Sequence, residues 1–164
     1  QTEILYQTAM DYAGLTGKET VVDAYCGIGT IGIIAADKAK SVIGVELNPA
    51  SVKDARNNAR HNNIGNITFY QNDAERFLNE MQEQNAKADV IFMDPPRAGS
   101  TQSFMASAIS LNPDRIVYIS CNPETLARDL RILKKKGYQM QEAWPVDMFP
   151  FCDHVETVCL LSCK

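Results

Sequence analysis

The feature that most constrains this chain is a repeated alternation. A short apolar, β-branched run is followed by a turn rich in Gly, Asn, Asp or Pro, and then by a helical stretch. Residues 20–25 (TVVDAY), 41–46 (SVIGVE), 66–71 (NITFYQ), 88–93 (ADVIFM) and 115–120 (RIVYIS) read as strands. Helices are expected over 30–37, from Asn48-Pro49 to about 61, over 74–84 behind an Asp73 N-cap, and over 124–136 up to Gly137. The tail, 139–148 and 154–162, reads as an antiparallel pair joined by a short turn containing Pro150. Such alternation predicts a Rossmann-like α/β fold, a mostly parallel seven-stranded sheet with an antiparallel C-terminal edge. Right-handed crossovers then bring every strand-to-helix loop to one rim, where open α/β sheets bind ligands.

A length of 164 residues suits one domain, and 45% hydrophobic with 22% charged residues argues against disorder. No apolar run approaches the roughly 20 residues that span a bilayer, so no membrane partner is expected. Sixteen Lys and Arg against 20 Asp and Glu give a net charge of −4, a poor footprint for holding long nucleic acid by its phosphates. The five cysteines (Cys26, Cys121, Cys152, Cys159 and Cys163) are odd in number and contain no CxxC pair. A disulfide framework and a zinc site are therefore disfavoured; reduced thiols, no metal and a cytoplasmic location are expected. The chain opens on Gln1, which suggests a piece of a longer protein.

Chemistry concentrates in the rim loops. Residues 23–32 hold Gly27-x-Gly29-x-x-Gly32 between a strand and a helix, and Glu46 ends the next strand, where a carboxylate can accept both ribose hydroxyls of a nucleoside. That pattern alone does not choose between a dinucleotide and S-adenosyl-L-methionine. Asn72-Asp73 ends the third strand, where an acidic side chain can accept a bond from an adenine amino group. Asp94-Pro95-Pro96-Arg97 ends the fourth, two prolines making a rigid wall that packing alone does not explain. Cys121, in Ser120-Cys121-Asn122-Pro123, stands just ahead of a helix whose positive end favours thiolate, whereas Cys159 and Cys163 lie inside an apolar strand. Glu156, in His154-Val155-Glu156-Thr157, reads by itself as a solvated charge at a sheet edge.

Five blocks carry a family resemblance: DAYCGIGTIGI (23–33), VIGVELNPASVKDARNNARHN (42–62), DVIFMDPPRAG (89–99), RIVYISCNPETLARDL (115–130) and PVDMFPFCDHVETV (145–158). In this order they resemble the catalytic domain of the RNA (uracil-5-)-methyltransferases. The combination of DPPR, SCNP and HVET is far more specific than the glycine motif. Amino-group methyltransferases share the paired prolines but usually continue with Tyr, Phe or Trp, and Arg97 departs from that. The resemblance implies a class I S-adenosylmethionine-dependent methyltransferase fold and S-adenosyl-L-methionine as cofactor.

By matching position, the resemblance further implies Cys121 as nucleophile and Glu156 as proton acceptor. Tyr25, Gly27, Glu46, Asp73 and Asp94 would meet the cofactor, while Asp94 and Arg97 would place the uracil. It implies methylation of uracil C5 in RNA through a covalent cysteine adduct at C6, on 23S ribosomal RNA ahead of uracil-54 of transfer RNA. Exocyclic-amino methylation, a cytosine-C5 enzyme, an NAD-type oxidoreductase and a catalytically idle domain that only binds a partner are the rivals. The family's cofactor-binding glutamine motif, central domain and RNA-binding β-barrel are not found within residues 1–164 and are expected in a longer protein of which this is a piece. The expectation is thus a monomeric catalytic domain over 1–164, with weak or no activity alone and its main RNA grip elsewhere.

Overall fold

Four consecutive buried residues, Val21 to Ala24, in a strand of five already require protein on both faces of the sheet. The computed structural model describes residues 1–148 and 155–163, and its element order bears out that requirement. It runs α1 (Thr2–Ala13), β1 (Thr20–Ala24), α2 (Thr30–Ala36), β2 (Ser41–Glu46), α3 (Pro49–His61), β3 (Ile67–Gln71) and α4 (Ala74–Glu83). It continues through β4 (Val90–Met93), α5 (Gln102–Ser110), β5 (Arg115–Ser120), α6 (Pro123–Lys135), β6 (Tyr138–Val146) and β7 (Glu156–Cys163). One seven-stranded sheet takes the order β3-β2-β1-β4-β5-β7-β6. The first five are parallel, and β7 pairs antiparallel with both β5 and β6. The expected architecture is the observed one.

The period of two along each strand sorts side chains into two cores. Val22, Ile91, Met93, Ile116 and Tyr118 face one side with Leu78, Phe104 and Leu133 from α4, α5 and α6. Val21, Val90, Phe92, Val117 and Ile119 face the other with Leu5 and Ala9 of α1 and Ile31 of α2. A smaller cluster packs Val52, Ala55 and Ala59 of α3 on Phe69 and Cys26.

Two helices have no counterpart in the sequence pattern. In α1 the buried positions Leu5, Ala9 and Ala13 follow an i, i+4 spacing but are mostly small. In α5 three serines imitate a loop, yet Ser107 and Ser110 turn their hydroxyls onto the carbonyls of Ser103 and Ser107 at 3.0 and 2.6 Å. The predicted strand at 88–93 begins two residues later, at Val90; ahead of it Asp89 donates its N–H to the Thr20 carbonyl at 2.8 Å and accepts the Thr20 N–H on its carboxylate at 2.7 Å. Other boundaries move by three residues at most. The turn at Pro150 and His154 lies outside the described residues.

Candidate active site

At the C-terminal ends of β1 to β4 the sheet opens into a cavity of about 420 Å³, whose walls include Tyr25, Glu46, Leu47, Asp73, Asp94 and Pro95. Glu46 is held by two backbone donors: Gly27 N–H to Oε2 at 3.1 Å and Asn48 N–H to Oε1 at 2.8 Å. Each oxygen keeps acceptor capacity for a ligand. Gly27 has φ +53, and a Cβ there would meet no protein atom within 4 Å, so glycine answers a backbone demand beside open space. Gly32 works differently. Its N–H donates to Asp23 Oδ2 at 2.8 Å, and a Cβ would press on that same oxygen at 3.0 Å.

Tyr25 holds φ 65, a conformation that costs a bulky residue on the order of 1–3 kcal/mol and that clusters at ligand sites. Its ring lies 5.0 Å from that of Phe104. Asp73 caps α4, its Oδ1 accepting the Arg76 N–H at 3.0 Å, and stands exposed at the cavity wall. Asp94, at the tip of β4, reaches solvent through the cavity but sits in a recess of protein. That surrounding first, and the Glu156 carboxylate second, raise its carboxyl to about 6. At pH 7 it is mostly ionised.

Cys121, Glu156, Gly27 and Arg97 are not among the residues that line this cavity. The β5–β7 ladder ends at the pair Ser120 and Thr157. The next residues on the two antiparallel chains are Cys121 and Glu156, so pairing alone brings the thiol and the carboxylate to the same edge. The influence of Glu156 on Asp94 ties this edge to the cavity. Cys121 is half-buried and belongs to none of the apolar clusters of described residues. It precedes the thirteen-residue α6, whose Asn122 cap accepts the Glu124 N–H at 3.0 Å. Arg97 is exposed, and its carbonyl accepts from Asn122 Nδ2 at 3.4 Å and Thr125 Oγ1 at 3.3 Å.

The other described thiols stand apart from this edge. Burial, then the charges of Asp23 and Glu46, push the Cys26 thiol far up. Burial pushes Cys159 up to about 11, and Cys163 is exposed at the end of β7. Cys152 lies outside the described residues.

Tyr6 of α1, absent from the sequence reading, enters the field of the rim acids. Burial first, then Asp94, Asp23 and Glu156, raise its phenol. No motif marks it, because only tertiary packing brings α1 to this edge. Among the described residues no group of three or more His, Cys, Asp or Glu is arranged to hold a metal ion, and no helix is long and apolar enough to cross a membrane.

Comparison with known proteins agrees with this fold. An RNA methyltransferase of uncharacterized function from Halalkalibacterium halodurans is 49% identical over 164 residues, all of this chain and 36% of that protein. One from Staphylococcus epidermidis is 52% identical over the same span, again 36% of its length. The chain thus spans about a third of the curated relatives it matches. Among solved structures, Pyrococcus abyssi tRNA (uracil-54, C5)-methyltransferase in complex with S-adenosyl-L-homocysteine superposes with a TM-score of 0.78 at 34% identity, covering 94% of this chain and 37% of that one. Precorrin-6y C5,15-methyltransferase from Geobacter metallireducens shares the fold, with a TM-score of 0.78 at 16% identity over 97% of this chain and 87% of its own. Residues 5–164 match the tRNA (Uracil-5-)-methyltransferase family, and the chain belongs to that family.

Proposed function

We propose that this chain is the catalytic domain of an enzyme that methylates uracil C5 in RNA with S-adenosyl-L-methionine, Cys121 being the nucleophile and Glu156 the base. The observation that supports the reading is the strand register: the last β5–β7 pair, Ser120 with Thr157, leaves Cys121 and Glu156 as next neighbours at the C-terminal end of β5, the rim at which the parallel strands end. The cavity suits the cofactor. Glu46 presents a fixed carboxylate to a ribose diol, Asp73 an acceptor to an adenine amino group, and Gly27 a backbone free of side-chain bulk. Tyr25 and Asp94 complete its walls.

Uracil C5 is a weak nucleophile. Addition of the Cys121 thiolate to C6 forms an S–C6 bond and drives the ring electrons toward C5 and O4, giving an enolate. Bound S-adenosyl-L-methionine supplies the electrophilic methyl that C5 takes up, leaving as the neutral thioether. Glu156 then removes the C5 proton, and the electron pair released expels the Cys121 sulfur from C6. Asp94 and Arg97 line the approach of the base, which must leave its stack to reach the thiol. Ribosomal RNA is the substrate we favour. Transfer RNA is the second reading, favoured by the Pyrococcus abyssi structure, whose protein acts on uracil-54 of tRNA.

Two variants test the roles. In the protein at its natural length, Cys121→Ala should lose methylation yet still bind S-adenosylhomocysteine; retained turnover sinks the nucleophile assignment. Glu156→Gln should accumulate an RNA–protein adduct that survives a denaturing gel, because release stalls after methyl transfer. Ordinary turnover without adduct would overturn the base assignment. Mapping 5-methyluridine in each RNA class after deleting the gene separates ribosomal from transfer RNA.

A further inference from the structure

One buried side chain ties together the two loops on which that reading rests. Asp129, on α6, has no solvent exposure. Its Oδ2 accepts the Ser100 N–H at 2.7 Å and the Tyr118 hydroxyl at 2.7 Å, and its Oδ1 accepts Arg128 Nε at 2.8 Å. Arg128 returns to the same loop, donating from Nη2 to the carbonyls of Ala98 and Ser100 at 3.0 and 3.1 Å. Nearer the start of α6, Asn122 and Thr125 reach the Arg97 carbonyl. The loop that leaves β4 through Asp94 and Arg97 is therefore riveted along its length to the helix that begins beside Cys121.

The loop is shaped for this contact. Gly99 has φ +78, and a Cβ there would stand 2.6 Å from Arg128 Nη2 and 2.8 Å from Asp129 Oδ2. No apolar residue satisfies the Ser100 N–H and the Tyr118 hydroxyl at once, and no neutral one also pairs with Arg128.

We propose that Asp129 is a positioning residue for the methyl transfer. It sets the distance between the Asp94–Arg97 wall, which would hold the uracil, and the Cys121 sulfur, which would attack it. This inference rests on the proposed role of Cys121. A misplacement of about 1 Å between reacting groups can cost on the order of a hundredfold in rate, whereas neither Ser100, Arg128 nor Asp129 lines the cofactor cavity.

The test uses the protein at its natural length, with turnover counted per S-adenosylhomocysteine-binding site so that unfolded molecules do not enter. Asp129→Asn should lower kcat per site by about tenfold or more while the affinity for S-adenosylhomocysteine and KM for RNA hold. A purely structural role predicts wild-type kcat in every folded molecule, and that result overturns the proposal. If Asp129→Asn does not fold, Arg128→Met decides, because the Arg128 side chain is 51% exposed and its loss opens no core. A drop in kcat per site supports positioning and an unchanged kcat refutes it. Cys121→Ala run in parallel separates the two ideas. If it remains active the nucleophile reading fails and takes this one with it; if it is dead while both clamp variants turn over normally, the clamp alone fails.

Discussion

At the tip of β1 a carboxylate with no solvent exposure keeps one oxygen without a partner. Asp23 gives Oδ2 to the Gly32 N–H, and Oδ1 is buried and unpaired. Burial, against the pull of the Gly32 bond and with the added charges of Asp94 and Glu46, raises its carboxyl from 3.8 to about 7. The folded protein thus holds this proton more tightly than the unfolded chain does. Its contribution is complete below about pH 4, declines as the pH rises through 7, and is gone above that, with an upper bound of about 4 kcal/mol. Asp23→Asn keeps an acceptor for Gly32 and carries no charge. Urea midpoints measured from pH 4 to 8 should therefore fall with pH in the wild type, and the variant should lack that part of the slope. Parallel curves would mean that the proton of Asp23 is not what links pH to stability.

Elements show where local chemistry suffices and where it does not. Both α3 and α6 start with Asn-Pro, the asparagine oxygen accepting the first backbone donors and the proline omitting one that has no partner anyway. Such starts are legible in sequence, as are β2 and β5, whose bounds coincide with their apolar runs. Asn122→Ala and Asn48→Ala should each destabilise the fold by about 1 kcal/mol in urea titrations. Only Asn122→Ala, next to Cys121, should also lower turnover per cofactor site; equal activity in the two would detach the α6 cap from the chemistry. Glu46, Asp73, Asp94 and Cys121 were legible because each lies where a strand gives way to a turn and a charged or thiol side chain has no packing reason to be, whereas Glu156 opens β7 and only the family resemblance singled it out. Asp129 was not legible. Its partners Ser100 and Tyr118 lie 29 and 11 residues away, and only the folded sheet brings them to it. Helices α1 and α5 escaped for a related reason, since small and hydroxylated residues carry little periodic signal until a sheet face gives them something to bury against.

For the whole molecule, the two main cores occupy opposite faces of one sheet and the five parallel strands end on a single rim, so the remaining surface is free to carry charge. That charge is −4 in sum. RNA affinity rests heavily on phosphate neutralisation, and each phosphate contact adds close to one to the slope of log K against log salt. The 164-residue chain, with 16 basic and 20 acidic residues, should therefore bind RNA no better than the weak end of non-specific association, about 10⁻⁴ M, and with a shallow salt slope. The Halalkalibacterium halodurans relative matches this chain over only 36% of its length. If the phosphate grip belongs to the remainder, that relative at full length should bind the same RNA more tightly and with a slope steeper by several units, while both bind S-adenosylhomocysteine alike. Fluorescence anisotropy on labelled RNA between about 50 and 200 mM salt reads both quantities. Equal affinities and equal slopes would place the grip on this rim instead, and would require the basic residues near it to outweigh an acidic whole.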